Sequence, residues 1–94
     1  MKIGALIWLE EIVQKLAQKH GVSQEEVRQV LFSSQHFRFV EKGHRPGENV
    51  YSVLGQTDAG RYLIVFFIHK RKREALILSA REMTDAERKR YEKR

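Results

Sequence analysis

The sequence predicts a small α+β protein, and three observations support this fold class. The chain has 94 residues, the length of one domain, and we treat 1–94 as a single domain. Apolar residues first recur at helical spacing and then alternate as they do in strands. A helical signal returns near the C-terminal end. We therefore predict two N-terminal helices, a four-stranded antiparallel meander and one C-terminal helix, with the helices packed on one face of the sheet.

The first helix is predicted from apolar residues that share one helical face: Leu9, Ile12, Val13, Leu16 and Ala17. Lys19 and His20 place cations in its last turn, and Gly21 is a typical helix stop. The preceding residues 3–7 have two interpretations, a short strand or the start of the helix. The pattern therefore shows where this helix ends better than where it begins.

The second helix begins with a capping box, in which Ser23 and Glu26 satisfy each other's backbone N–H groups. Its apolar stripe consists of Val22, Val27, Val30 and Leu31. We expect this short helix to end near residues 32–34. A second capping box, Thr84-Asp85-Ala86-Glu87, begins the last helix.

Between these helices the apolar pattern changes to alternation, which is typical of strands. Four strands are predicted, at His36–Glu41, 49–56, 61–69 and 74–80. The third is the most apolar run in the chain and should be the central strand. Residues 42–48 contain the only proline and are predicted to form a loop, and 70–73 are predicted to be the tip of a hairpin.

Positive charge is concentrated in the last third of the chain, and the net charge is +6. Residues 1–60 contain seven Lys or Arg and seven Asp or Glu, whereas residues 61–94 contain eleven and five. This asymmetry indicates an anionic partner, such as nucleic acid, an acidic protein or a membrane surface. The alternative is a solvated basic surface without a partner.

The absence of cysteine excludes disulfides and thiolate metal sites, and it fits a reducing compartment. The apolar run near the N-terminus is too short to span a bilayer, and no small-residue cleavage site follows it. We therefore expect a cytoplasmic protein that does not bind a membrane.

The familiar sequence signatures of catalysis are missing. There is no phosphate-binding glycine loop, no His-Glu-x-x-His and no Gly-x-Ser-x-Gly. The histidines at positions 20, 36, 44 and 69 lack the spacing of metal ligands, and no carboxylate pair stands out. We expect neither a metal ion nor another cofactor.

A group of basic and aromatic residues near the C-terminal end is the remaining candidate for chemistry. Metal-independent RNA cleavage needs a base, an acid and cations that stabilise charge on the phosphate oxygens. Arg81 is the sharpest candidate because arginine matches a phosphate in shape, although it could instead pair with Glu82, Glu87 or a helix terminus. Arg88 and Tyr91 share one face of the last helix, where Tyr91 is either a proton-transfer group or an apolar anchor. Glu87 is expected to serve only as part of the capping box.

The predicted hairpin tip is a candidate RNA-binding segment, and its residues are His69, Lys70, Arg71, Lys72 and Arg73. Four adjacent cations either bind phosphates in a salt-dependent manner or form a solvated turn. His69 is either a structural residue or a group that moves a proton.

Several short motifs carry a family resemblance. They are Lys19-His20-Gly21-Val22-Ser23, Glu26-Val27, Glu48, Gly55-x-Thr57-x-x-Gly60-Arg61, Ile77-x-Ser79-Ala80-Arg81 and Glu87-Arg88-x-x-Tyr91. In order and spacing this set resembles the BrnT family, the toxins of type II toxin–antitoxin pairs. The resemblance covers roughly residues 12–92.

The resemblance implies a fold similar to the RelE-like ribonuclease toxins, and RNA cleavage that inhibits translation. It also implies neutralisation by a BrnA-like antitoxin that binds the toxin and DNA, with no metal cofactor. Carried over position by position, it places the functional residues at Arg61, Arg81, Arg88 and Tyr91, with Glu48 as a weaker member.

Two other functions remain open at this point. One is a non-catalytic basic module, a degenerate toxin that binds RNA or an antitoxin and leaves RNA intact. The other is an interaction protein whose basic face meets only an acidic partner chain.

Overall fold

The computed structural model describes residues 1–93, in which five strands and three helices are present. In chain order they are β1 (Ala5–Ile7), α1 (Glu10–Lys15), α2 (Gln24–Ser33), β2 (His36–Glu41), β3 (Val50–Gln56), β4 (Tyr62–Lys70), β5 (Glu74–Glu82) and α3 (Asp85–Glu92). A π-helical turn, Leu16–His20, continues α1, and a short 3-10 turn, Arg71–Arg73, connects β4 to β5. None of the helices in this part of the chain is long and apolar enough to cross a membrane.

The strands form one mixed sheet in the order β1-β5-β4-β3-β2. Strands β2 to β5 are the predicted antiparallel meander, with β4 between its neighbours β3 and β5. The prediction of four strands is wrong by one, because Ala5–Ile7 forms a fifth strand that pairs with β5 in parallel. A strand of three residues is too short to show alternation, and its partner begins at Glu74, far along the chain.

The two faces of the sheet carry separate apolar clusters. We call the face that packs on α1 and α2 the inner face, and its core includes Leu16, Val30, Val53, Val65 and Phe67. On the opposite, outer face, Tyr91 of α3 packs against Leu54 and Ile64. The prediction that all helices lie on one face is therefore wrong. Because α3 has few apolar residues, its sequence does not show which face it covers.

The predicted helix caps are confirmed. Ser23 accepts a hydrogen bond from the Glu26 backbone N–H at 3.1 Å, and the Glu26 carboxylate accepts one from the Ser23 N–H at 3.0 Å. Thr84 and Glu87 form the same reciprocal pair at the start of α3. Gly21 ends the first helix with a φ of 60°, a left-handed conformation that glycine adopts without strain.

The hairpin of β4 and β5 reaches from one end of the sheet to the other. Strand β5 ends at Glu82 rather than at residue 80, so Arg81 lies inside the strand and not after it. At the opposite end the tip turns with positive φ values at Lys72 (60°) and Arg73 (59°). The Gly4 backbone N–H donates to the Arg73 carbonyl at 2.7 Å and ties this turn to the N-terminal segment.

Candidate functional site

Arg81 points from the outer face of the sheet toward α3. It lies opposite Ile64 in the β4–β5 ladder. Its Nη1 and Nη2 donate to the two carboxylate oxygens of Glu87 at 2.8 and 2.9 Å. Nη1 also donates to the Glu82 carbonyl at 3.1 Å, and the guanidinium lies 5.7 Å from the ring centre of Phe66. The Arg81 side chain is 34% exposed, so a ligand can reach it.

Glu87 holds Arg81 and caps α3 with the same carboxylate. Its Oε1 accepts from the Thr84 backbone N–H at 2.8 Å in addition to Arg81. The hydrogen bonds from Arg81 lower the pKa of Glu87 to about 2, since they and the bond from Thr84 outweigh the effect of partial burial. The same bonds raise the pKa of Arg81. Glu87 therefore does more than cap the helix, and its pairing with Arg81 was one of the two interpretations of that arginine.

Arg88 and Tyr91 both contact Tyr62, the first residue of β4. The Arg88 guanidinium lies 3.9 Å from the Tyr62 ring centre, and its Nε donates to Glu92 at 3.2 Å. Tyr91 is only 8% exposed, and its ring packs edge-on against Tyr62 and His36 at 6.0 and 5.1 Å. Tyr91 therefore anchors α3 on the sheet, which was one of its two interpretations. Its part in proton transfer stays a prediction.

The fold thus brings three of the predicted catalytic residues, Arg81, Arg88 and Tyr91, to the outer face at one end of the sheet. A polar cleft of about 370 Å³ opens beside Tyr91, and its other lining residues are Ser33, Ser34, Gln35, His36 and Gln56. These polar residues carry no sequence signal of a site, because only the tertiary structure places the start of β2 beside α3. The hydroxyl, amide and imidazole groups that line this cleft can hydrogen-bond a polar ligand.

Arg61 lies apart from these three and points toward the inner face. Its guanidinium donates to Glu26 at 3.1 and 3.2 Å, to Glu82 at 3.1 Å, and to the carbonyls of His20 and Gly21 at 3.0 and 2.7 Å. Burial lowers the pKa of Arg61, but the hydrogen bonds to the two carboxylates outweigh it and raise that pKa. Every nitrogen of this guanidinium is engaged, and Arg61 connects the first two helices to the ends of β4 and β5.

The predicted RNA-binding tip lies at the far end of the hairpin from Arg81. Arg81 is opposite Ile64, whereas the last residue of β4 before the tip is Lys70. Six residues of strand separate these two levels, which corresponds to about 20 Å. The structure therefore does not bring the tip and the Arg81 group together.

Three of the four predicted tip cations are exposed, and a loop arginine lies beside them. The exposed cations are Arg71, Lys72 and Arg73. Lys70 donates to Glu48 at 3.1 Å, so that this charge is partly neutralised. Arg45, in the loop between β2 and β3, lines a cleft of about 440 Å³ together with Lys70 and Arg71. The sequence left Arg45 in a loop, and only the fold places it beside the tip.

His69 faces inward at the base of the tip. Its ring lies edge-on to Tyr51, with ring centres 6.1 Å apart. Its Nε2 is buried and has no hydrogen-bond partner among the described residues. This position is that of a packing residue, and the predicted contact of His69 with RNA stays a prediction. Across residues 1–93, no three His, Cys, Asp or Glu side chains form a group that could hold a metal ion.

Comparison with known proteins assigns the chain to a family. A family model described as the ribonuclease toxin BrnT of type II toxin–antitoxin systems matches residues 8–87, which is most of the chain. The chain belongs to the BrnT family. The resemblance found in the sequence is thereby confirmed. The region that matches the BrnT model contains Arg61, Arg81 and the tip, whereas Arg88 and Tyr91 lie immediately after it.

A solved BrnT structure has a similar fold. The crystal structure of the Brucella abortus ribonuclease toxin BrnT aligns with a TM-score of 0.60 and 16% sequence identity, covering 86% of this chain and 97% of that one. At this identity the similarity shows that the two proteins share the BrnT fold. No curated protein sequence matches the chain significantly.

Proposed function

We propose that this BrnT-family protein is a metal-independent endoribonuclease that inhibits translation, and that Arg81 is the central cation of its active site. The family of ribonuclease toxins supplies the reaction class. The observation that carries the proposal is the Arg81 guanidinium, which Glu87 fixes along one edge while another edge stays open.

The open edge of Arg81 has the shape that a phosphate needs. Glu87 occupies the edge formed by Nη1 and Nη2. Nε makes no hydrogen bond within the described residues, and Nη2 carries a second hydrogen on the same side. Nε and Nη2 together can donate two parallel hydrogen bonds to phosphate oxygens. Arg81 can therefore hold Glu87 and a phosphate at the same time.

The reaction that fits this arrangement is an internal transfer of the phosphate. The 2′ oxygen attacks phosphorus, the bond from phosphorus to the 5′ oxygen breaks, and the products end in a 2′,3′-cyclic phosphate and a 5′ hydroxyl. A base takes the 2′ hydroxyl proton and an acid returns a proton to the 5′ oxygen. Arg81 and Arg88 stabilise the charge that develops on the other phosphate oxygens. We assign Tyr91 to proton transfer.

The remaining predicted site residues take supporting roles in this proposal. Arg61 positions the ends of β4 and β5, and with them Arg81, since each of its three guanidinium nitrogens already donates to a partner within the protein. The tip residues Lys70, Arg71, Lys72 and Arg73 bind RNA phosphates away from the bond that is cleaved, and the predicted RNA-binding residue His69 packs beneath them. The proposal draws support from their charge and from the exposure of Arg71, Lys72 and Arg73.

The proposed partner is a BrnA-like antitoxin that neutralises the protein in the cytoplasm. A type II toxin family implies a protein antitoxin, and the net charge of +6 favours an acidic partner surface. We also propose that the fold is related to that of the RelE-like ribonuclease toxins.

Induced expression in cells, with and without the antitoxin gene, tests this function through growth and RNA integrity. The informative variant is Arg81→Lys, because lysine keeps the charge but cannot present two parallel donors. Arg28→Lys is the matched control, since Arg28 is an exposed arginine 3.9 Å from Glu25 and lies on α2, which packs on the inner face of the sheet.

Wild type and the control should stop growth and degrade RNA unless the antitoxin is present, whereas Arg81→Lys should do neither. Intact RNA in arrested cells, or full toxicity of Arg81→Lys, would refute the proposal.

A non-catalytic binding module is the second candidate function. It is favoured by the distance between the densest cations and Arg81, and by the burial of Tyr91. A protein of this kind would bind RNA with an affinity that falls steeply with salt, and it would leave the RNA intact.

A further inference from the structure

We propose that the outer face of the sheet between Arg81 and the tip binds a single-stranded segment of RNA, so that the protein recognises RNA well beyond the bond it cleaves. This inference rests on the proposed function, because it extends the same binding site along the hairpin.

The helix α3 covers only one end of the outer face. Its eight residues pack on a cluster around Leu54 and Ile64. Nearer the tip, Val50, Ile68 and Leu76 lie side by side across three neighbouring strands. Their side chains are only partly buried. This row is an apolar floor that α3 does not reach.

The cations at the two ends of this floor match the chemistry of an RNA strand. Arg81 marks one end, and the exposed tip residues Arg71 to Arg73 mark the other. Two carboxylates lie toward the tip end, since Glu41 is opposite Val50 and Glu74 is opposite Lys70. Between the two ends Phe66 lies on the same face, partly exposed, with the Arg81 guanidinium near its ring. Nucleobases stack on aromatic and apolar surfaces, whereas phosphates bind cations. An apolar floor with cations at both ends therefore suits a strand whose bases face the sheet.

The same face suits a protein partner less well. A protein interface needs a well-exposed apolar centre, and the floor residues are half-buried. Within residues 1–93, strongly exposed large apolar side chains lie elsewhere, including Phe39 (53%) and Val40 (42%) on the edge strand β2. An antitoxin segment would bury more apolar area there than on the outer face.

The length of the floor sets the length of RNA that it can hold. The separation of about 20 Å between the Arg81 level and the tip is spanned by at most about six nucleotides, because neighbouring nucleotides of one strand lie about 3.4 Å apart when stacked and farther apart when extended. An RNA of about two nucleotides can occupy only one end, whereas one of about twelve nucleotides reaches both.

Binding of RNAs of these two lengths tests the inference directly. Fluorescence anisotropy is measured over a range of salt concentrations, with 2′-deoxy substitution at the cleavable positions so that the strand stays intact.

The tip variant is the double substitution Arg71→Ala and Arg73→Ala. Its matched control is the double substitution Lys19→Ala and Arg28→Ala, which removes the same amount of positive charge from another part of the molecule. For the longer RNA, the tip variant should reduce the slope of log affinity against log salt by about 1.4, about 0.7 for each lost phosphate contact. The slope for the shorter RNA and the control should stay at wild-type values.

A second variant examines the floor itself. Ile68→Asp places a charge on the apolar surface where the bases are proposed to stack and should weaken only the longer RNA, with a thermal melt to verify folding. Equal affinity at both lengths, or equal losses at both lengths in the tip variant, would overturn the inference. So would a tip variant that binds both RNAs normally but loses the antitoxin. Length-dependent binding together with uncleaved natural RNA would support this inference and contradict the proposed function.

Discussion

Glu87 connects the start of α3 to the edge of the sheet through a single carboxylate. It accepts hydrogen bonds from the Thr84 backbone and from both terminal nitrogens of Arg81. These bonds favour the charged carboxylate and explain why its pKa falls to about 2. One ion pair therefore caps a helix and orients the candidate catalytic cation.

Replacing Glu87 by glutamine should remove a pH-dependent part of the stability. Glutamine keeps the size of the capping residue but not its charge. Because the pKa of Glu87 is lowered from 4.5 to about 2, its contribution is complete above about pH 4.5 and is lost as the pH falls through about 2. In urea titrations the variant should lose about 2 kcal/mol of unfolding free energy at neutral pH, and this loss should vanish toward pH 2. A loss that is independent of pH would show that the ion pair does not stabilise the fold.

Replacing Arg61 by methionine should destabilise the protein by about 3 kcal/mol, because it leaves partly buried hydrogen-bond partners unsatisfied. The His20 and Gly21 carbonyls and the Glu26 carboxylate would lose the hydrogen bonds that they accept from Arg61. Glu82→Ala is the control, since that side chain is 67% exposed and its loss should cost less than about 1 kcal/mol. Thermal melts measure both. If Arg61→Met melted at the wild-type temperature, a positioning role for Arg61 would be untenable.

The sequence predicted the candidate site residues better than it predicted their contacts. Arg81, Arg88 and Tyr91 were named from their chemical type and their place near the chain end, and the fold brings these three together. Glu87 was named only as one alternative partner of Arg81, and Glu26 was not named as a partner of Arg61, because these contacts form only through the turns that join helices to strands. Arg45 was missed because loop residues carry no periodic signal.

At the scale of elements, α2 crosses β3 at a position that only glycine can occupy. A Cβ added at Gly55 would lie 2.9 Å from Val30 Cγ1 and 3.1 Å from Ser34 Cβ. Gly55→Ala should therefore destabilise the protein by about 1–3 kcal/mol through overpacking, measured as the midpoint of urea unfolding. Gly4→Ala is the matched control, because its Cβ would meet nothing closer than 3.8 Å. Equal midpoints for the two variants would contradict the close contact between α2 and β3.

The predicted elements were most accurate where the pattern was long. The two capping boxes and the alternating strands β2 to β5 were found because each rests on several residues. Strand β1 was left open, since Ala5–Ile7 is a short apolar segment next to a helix. The end of β5 was placed too early because Arg81 and Glu82 are charged, although both pair with β4. The face covered by α3 depends on Tyr91, one aromatic residue in a polar helix.

At the scale of the whole molecule, the fold divides a block of charge that is continuous in the sequence. The last third of the chain carries the net charge of +6, but strands of nine residues place its cations at opposite ends of the sheet. The sequence led us to expect one basic half that faces RNA. The structure instead has two separate cationic regions, one at each end of the outer face. The RNA that fits such a molecule is an extended strand rather than a single nucleotide.

Cleavage of RNA by the purified protein in the presence of EDTA tests the central claim most directly. Wild type and Arg28→Lys should produce fragments that end in a 2′,3′-cyclic phosphate, at the same rate with and without the chelator. Arg81→Lys should be slower by about 100-fold, the typical cost of removing a donor that stabilises transition-state charge. RNA that stays intact, cleavage that EDTA abolishes, or an Arg81→Lys variant as fast as wild type would contradict the account.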